Sequence, residues 1–394
     1  HFEYTTFRQR YIGYLTFALN YRLHGLNVAG YHLVNLFIHI STALLLYLIV
    51  TLTFQTPLLR ASPVRDYAPH IAVFTALLFA CHPLQTQAVT YIWQRVTSLA
   101  AMLYLLSLTA YVRWRLSASL RTAGAKALPW YVLALLSAVL AMKTKETAFM
   151  LPLTLAMYEF LFFQGKTLPR IGYLLPLLLT MLIVPLTLFS IDRPAGELID
   201  DVSDVTRGHS NLSRYEYLMT SLRVIVTYIR LLFLPVNQNL DHDYPTYRSL
   251  LDMPVTVSAV FLLCIAGLGV LLLLRSRNGA PHLRIISFGI FWFFLNLALE
   301  SSVIPLNNVI FEHRLYLPSM GVFLAVTVLV FHAVQKLKER WKGAGRAAVL
   351  ILAGVVLALT GATYARNGKW GDEVTLWQDV VSKSPVKAWA RISL

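Results

Sequence analysis

Cationic side chains stand at the ends of apolar blocks in this chain of 394 residues, gathered in four short motifs. In HPLQTQAVTYIWQR, residues 82–95, Pro83 opens a helix whose first turns are bracketed by His82 and Arg95. In MKTKETAFMLP, residues 142–152, Lys143, Lys145 and Glu146 occupy a tight turn between two apolar helices. In FEHRLYLP, residues 311–318, Glu312, His313 and Arg314 immediately precede an apolar block. The fourth, FRQRYIGYLTFALNYRLHGLNVAGYHLVN, is aromatic and basic and carries Arg8, Arg10, Asn20 and Arg22. A single lysine or arginine at a helix end reads equally well as one that snorkels to lipid headgroups and as one that binds a ligand. Lysine, arginine and histidine from three separate helix ends on one membrane face neutralise together a phosphate or pyrophosphate at the membrane surface. A lipid-linked anion is the ligand this pattern predicts.

Other constellations carry less. Asp241-His242-Asp243 has the form of an acidic metal loop, but one short loop supplies too few fixed ligands, and it reads as solvated. A divalent cation is the one cofactor left open. His32 and His39 lie on one helix face among apolar neighbours, where they read as packing or interhelical hydrogen bonds, with Asn35 able to satisfy one of them. Asn211-Leu212-Ser213 fits a glycosylation acceptor, a motif short enough to arise by chance. The two cysteines, Cys81 and Cys264, both sit inside apolar blocks and support neither a disulfide framework nor a thiolate metal site.

The elements that must position these motifs are membrane helices. Hydrophobic residues make up 57% of the chain and charged residues only 13%, against about 25% charged in a soluble domain. The net charge of +15 sits largely in short loops, as the positive-inside rule expects, and no basic stripe on a soluble segment suggests nucleic acid. The predicted fold class is all-α, a polytopic transmembrane bundle. Ten blocks qualify as spans: 29–54, 70–83, 86–112, 127–142, 147–163, 170–190, 254–275, 283–299, 314–333 and 347–364.

Basic linkers set the orientation. Those with Arg113, Arg115, Arg121 and Lys126, with Arg275, Arg277 and Arg284, and with Lys336, Lys338, Arg340, Lys342 and Arg346 are expected to be cytoplasmic. The acidic stretch 191–213, with Asp192, Glu197, Asp200, Asp201 and Asp204, is expected outside. The spans alternate consistently only if 214–234, which carries Arg223 and Arg230, stays at the outer face as an interfacial or re-entrant helix. Three regions follow: an outer segment 1–28, a transmembrane domain 29–364, and an outer-side extension 365–394. An external start without a signal peptide predicts a further span ahead of His1, and the amphipathic tail reads as the beginning of a longer soluble extension.

In this order, HPLQTQAVTYIWQR, KETAFMLP, EHRLYLPSMG and the opening YLTFALNYRLHGLNVAGYHLVNLFIH resemble the membrane portion of the C-type (GT-C) glycosyltransferases that carry tetratricopeptide repeats, the transmembrane O-mannosyltransferases and their bacterial relatives. The resemblance runs from about Arg8 to Trp377. It implies an enzyme that takes a sugar from a polyprenyl-phosphate carrier and transfers it to a protein Ser or Thr hydroxyl on the non-cytoplasmic face. It implies a donor-phosphate role for Lys145, followed by Glu146, and for Arg314 and His82. Residues 371–394 are similar to the entry into a first repeat. The family's catalytic aspartate lies in a first outer loop, so the resemblance places the base upstream of residue 1. Glu3, the nearest carboxylate, stands in no such acidic motif.

The expected site is therefore Lys145, Arg314, His82 and Arg95 on the donor phosphate. Glu146 and Glu312 orient cations by ion pairing, His313 supports them, and Arg8 or Arg10 closes the site from the N-terminal side. Lys145 and Arg314 are expected to converge, with His82 and Arg95 nearby, on a cavity large enough for a sugar phosphate. The partners implied are a polyprenyl-phosphate-linked sugar, membrane lipid and a protein acceptor. The location implied is a bacterial inner membrane, or the endoplasmic reticulum membrane in a eukaryote. Two rival readings remain: a transporter of lipid-linked sugars, and a membrane-anchored repeat scaffold without catalysis, in which the outer cations are replaceable.

Overall fold

The computed structural model describes residues 9–118, 124–188, 212–301, 306, 308–386 and 388–393. The acidic stretch up to Asn211, together with Glu3, Arg8 and Arg121, lies outside the described residues. Every regular element among the described residues is helical. The N-terminal half runs through α1 (Tyr11–His24), α2 (Val28–Thr53), α3 (Ala68–Cys81), the single turn α4 (Thr86–Val89), α5 (Arg95–Ala118), α6 (Gly124–Met142), α7 (Leu151–Phe162), α8 (Thr167–Leu179) and α9 (Ile183–Leu188). The C-terminal half contains α10 (Arg214–Phe233), α11 (Met253–Arg275), α12 (Leu283–Leu297), α13 (Pro318–Leu337), α14 (Ala344–Gly368), α15 (Glu373–Lys383) and α16 (Ala388–Ile392).

The count of ten spans is corrected. Among the described residues, six helices are long and apolar enough to cross a membrane: Val28–Thr53, Ile92–Ala118, Thr167–Thr187, Met253–Arg275, Pro318–Leu337 and Ala344–Gly368. A seventh is gained if the pair Arg65–Cys81 and Pro83–Val89, bent by 51°, counts as one. The other apolar blocks make shorter helices. Ala127–Met142 and Leu283–Leu297 fall below 18 residues, and the block at 147–163 spends its first residues on the 3-10 turn Glu146–Met150, leaving 12 for α7. Apolar composition therefore overcounts spans where 3-10 turns shorten the helix. Helix α10 is not among the six: it carries the charged side chains of Arg214, Glu216, Arg223 and Arg230.

Buried tyrosines tie the apolar helices together at points where a hydroxyl finds a partner on another element. Tyr158 in α7 meets Thr53 in α2 at 2.7 Å, and Tyr316 meets His39 in α2 at 2.8 Å. His39 also meets the Ala80 carbonyl at 3.1 Å, which bears out its reading as an interhelical bond. Asn35 serves neither histidine: it donates to the Val89 carbonyl and accepts from Arg95. Helices α12 and α13, which flank the site described below, cross where Gly289 faces Gly321. A Cβ on Gly321 would lie 2.7 Å from the Gly289 carbonyl oxygen and 2.6 Å from Trp292, so only glycine permits this approach.

A second tie lies at the other end of α5. The fully buried Glu159 carboxylate accepts from Arg115 at 2.9 and 2.8 Å, from Arg170 at 3.1 Å and from Tyr111 at 3.0 Å. One acidic side chain thereby joins α5, α7 and α8.

Candidate functional site

The turn after α6 and the turn before α13 meet at one small cavity. Its lining includes Thr97, Tyr104, Lys145, Asn296, Glu300, His313 and Arg314. Local sequence marks where each turn gives way to a helix. Lys145 lies in extended backbone just ahead of the 3-10 turn Glu146–Met150, and Pro152 in the first turn of α7 starts the helix that follows. Phe311 likewise precedes the 3-10 turn Glu312–Leu315, and Pro318 opens α13. The backbone around Phe311 is held by the Tyr228 hydroxyl, which both donates to its carbonyl and accepts from its N–H at 3.0 Å.

Lys145 and Arg314 thus line the same cavity, but each already has protein partners. The Lys145 ammonium donates to Glu300 at 2.9 Å and to Thr97 at 3.2 Å. Arg314 donates to the carbonyls of Asn308 at 2.8 Å and Val309 at 3.0 Å, and weakly to that of Glu300 at 3.5 Å. Among the described residues it has no carboxylate at ion-pair distance; carbonyl dipoles, the Tyr217 and Tyr228 hydroxyls and the more distant Glu300 charge favour its cationic form. His313 is buried, and its Nδ1 has no hydrogen-bond partner among the described residues. Burial, with the charges of Lys145, Arg314 and Arg10, holds its imidazole well below the usual histidine range, so it is neutral at pH 7.

The expected size is corrected. The cavity measures about 20 Å³, room for about one water and not for a sugar phosphate. The physical reason is the Lys145–Glu300 pair, which neutralises the lysine from within and draws the two turns together.

Arg10 and Glu146 pair with each other, at 2.7 and 3.2 Å, closing over the N-terminal side of this region. Burial would raise the Glu146 carboxyl, but the neighbouring Arg10 and Lys145 charges outweigh it and lower the value from 4.5 to about 2. A depressed folded-state value means that the pair stabilises fully above pH 4.5 and loses that contribution as pH falls toward 2. A carboxyl-resonance titration of Glu146 is expected to show a midpoint far below that of an ordinary glutamate, and an ordinary midpoint contradicts the pairing.

His82 and Arg95 are not among the residues lining the cavity. His82 accepts from the Leu84 N–H and meets the Leu232 carbonyl at 3.1 Å, so it caps its own turn and holds the end of α10. Arg95 is completely buried and donates to Asn35 at 2.6 Å, Asn20 at 2.7 Å, and the carbonyls of Tyr31 and Thr16. Its guanidinium also lies 4.5 Å from the centroid of Phe17. These contacts clamp α1 and α2 onto α5. The motif at 82–95 reaches the site through its glutamines instead: Gln87 accepts from the His313 N–H at 2.7 Å, and Gln85 donates to Ser319 at 3.2 Å.

Glu312 orients no cation of the cavity. It accepts from the Asn239 N–H at 2.6 Å, from Gln238 at 3.0 Å, and meets His242 at 3.1 Å. The loop at 241–243 is therefore docked, correcting the reading of it as solvated. That loop in turn holds the C-terminal helix. Ser384 Oγ accepts from Asn239 and from the Asp243 N–H, both at 2.8 Å, and Lys383 donates to the Gln238 carbonyl at 2.8 Å. Arg366 at the end of α14 pairs with Asp379 in α15 at 2.7 Å. Among the described residues, no group of three His, Cys, Asp or Glu side chains is placed to hold a metal ion.

The sequence reading missed Glu300, Asn296 and Thr97. Glu300 carried a usable signal, being a lone carboxylate closing an apolar block. Asn296 and Thr97 carried none, because single polar residues in apolar helices are common.

Fold and site together define an integral membrane protein, an all-α polytopic bundle with a buried cationic pocket between two helix-end turns. Comparison with known proteins agrees with the family resemblance. The chain is 24% identical to protein O-mannosyl-transferase TMTC4 of Homo sapiens over 95% of its own length, and 26% identical to protein O-mannosyl-transferase TMTC3 of Homo sapiens over 96%. It is 24% identical to protein O-mannosyl-transferase F38B6.6 of Caenorhabditis elegans over 95%. It spans 53%, 41% and 48% of these three relatives, about half their length. No family model matches the chain, and no solved structure matches it.

Proposed function

We propose that this protein is a glycosyltransferase that moves a sugar from a polyprenyl-phosphate donor to a protein Ser or Thr hydroxyl on the non-cytoplasmic face of its membrane. The observation that carries the reading is the meeting of Lys145, His313 and Arg314 at one buried pocket. Lys145 and Arg314, two cations from distant parts of the chain, share this low-dielectric space with the carboxylate of Glu300, which leaves a positive charge for a further anion to balance, and a departing phosphate acquires charge as the glycosidic bond breaks. The names of the relatives support a protein acceptor. In this reading Lys145 and Arg314 stabilise the leaving phosphate, with Arg10 and Glu146 bracing the turn beside them. Deprotonation of the acceptor is assigned to no residue of this chain. A bacterial inner membrane, or the endoplasmic reticulum membrane in a eukaryote, fits the same reading.

The reading requires the pocket to face outward. Both Asn278, between α11 and α12, and Glu373, at the start of α15, are exposed. In intact cells or sealed vesicles of known sidedness, a cysteine at Glu373 is expected to react with an impermeant maleimide from the outer side, and one at Asn278 only after permeabilisation. The opposite pattern inverts the topology and removes the outer-face donor site.

A further inference from the structure

Within the proposed phosphate site, Lys145 and Arg314 differ in how they are held. Arg314 is fixed by backbone carbonyls of residues 308 and 309, so it acts as a stationary source of field. Lys145 is held chiefly by a side chain, the Glu300 carboxylate at 2.9 Å, with side-chain exposures of 5% and 11% for the two partners. That contact bridges two walls of the cavity: Lys145 precedes α7, and Glu300 follows α12. The backbone of Glu300 is pinned, since its carbonyl accepts from the Tyr217 hydroxyl at 2.8 Å, which leaves the side chain as the movable part.

Two further polar atoms in the lining have no hydrogen-bond partner among the described residues, Asn296 Oδ1 and His313 Nδ1, although both side chains are buried. Buried polar atoms are normally satisfied. A ligand with phosphate oxygens and hydroxyl groups would satisfy both, the hydroxyl donating to Asn296 and the neutral imidazole donating to a phosphate oxygen. Such a ligand does not fit a cavity of about 20 Å³ while the bridging pair is closed.

The geometry points to Glu300 as a resident counter-anion: its carboxylate latches the Lys145 ammonium across the cavity, and a phosphate group enters by taking that ammonium from it. This inference rests on the proposed phosphate site and adds that access to it is competitive. Charge arithmetic supports the exchange. Arg10, Lys145 and Arg314 carry three positive charges against the two carboxylates of Glu146 and Glu300. One uncompensated positive charge remains, so a phosphate monoanion is accommodated without expelling Glu300 from the neighbourhood. The carboxylate has only to yield its contact with Lys145. Glu300 is thus a positioning residue that sets phosphate affinity, and its removal has the opposite sign to the loss of an ordinary structural ion pair.

The test uses the full-length protein in phosphatidylcholine nanodiscs, titrated in one arm with geranylgeranyl phosphate in the bilayer and in the other with inorganic phosphate in solution. Glu300→Gln is expected to lower the Kd by about tenfold, because the latched population no longer competes with the ligand. Glu300→Asp, which keeps the charge but shortens its reach, is expected to give a smaller gain and decides the matter if the glutamine variant does not fold. A gain in the lipid arm alone identifies a lipid-borne phosphate, and a gain in both arms shows that the phosphate group itself is recognised. Unchanged or weaker binding by a folded Glu300 variant in both arms overturns the counter-anion role. Binding by Lys145→Ala as tight as that of the unsubstituted protein overturns the phosphate site itself, which separates the two failures.

Discussion

Sugar transfer by the full-length protein is expected to fall by roughly 10²–10³-fold on Lys145→Ala substitution, the loss typical of removing one preorganised charge donor from a developing anion. Among the described residues the ammonium donates to the side chains of Glu300 and Thr97, and the helix-terminating hydrogen bonds of Lys145 use its backbone, so the turn itself survives. The substitution also strands the Glu300 carboxylate, a cost to folding that would confuse the result. The double substitution Lys145→Ala, Glu300→Gln removes both charges, restores the balance, and is expected to remain as inactive as the single variant while regaining its stability. Transfer rates from a defined lipid-linked donor, alongside thermal unfolding of the same samples, separate the two effects. A double variant that transfers at the unsubstituted rate disposes of the proposed phosphate site, whereas an unsubstituted protein that transfers no sugar leaves the membrane scaffold as the better account.

The largest stability effect is expected at the opposite end of α5. Glu159→Ala removes the one carboxylate that balances Arg115 and Arg170, whose side chains are each 11% exposed. Breaking such a buried pair costs about 3–5 kcal/mol, because the remaining charges stay buried without compensation. Here two like charges remain, so the loss belongs at the upper end. Glu216→Ala is the control: its partner Arg248 is 86% exposed, and water replaces the lost contact there. Unfolding measured in the same detergent should rank the two far apart. Equal stabilities would show that Glu159 is better solvated than its surroundings suggest.

The helical class, the membrane setting and the two turns that meet at the cavity were legible in the sequence, because long apolar blocks punctuated by charged motifs leave few alternatives. Span boundaries were less so. A block such as 147–163 looks continuous by composition, yet the 3-10 turn at its start is set by contacts with α5 and α6 that no local pattern encodes. Arg95 shows the limit for site residues. A cation at a helix start in a basic, aromatic context reads as a ligand for an anion, but two asparagines distant in sequence, Asn20 and Asn35, supply its acceptors. The type of residue showed that a partner was needed, and only the tertiary structure showed that the partner was internal. Glu300 is the converse: its function depends on proximity to Lys145, across 155 positions.

The docking of α15 makes a rigid bracket of the C-terminal region. Asp379 is bolted to the end of α14 through Arg366, and the far end of the same helix is fastened to the loop that Glu312 holds. Glu312 is adjacent in the chain to His313 and Arg314, so no compliant linker lies between the C-terminal helix and the cationic turn. A displacement of α15 therefore bears on that turn through two side-chain contacts, Lys383 to Gln238 and Asn239 to Glu312.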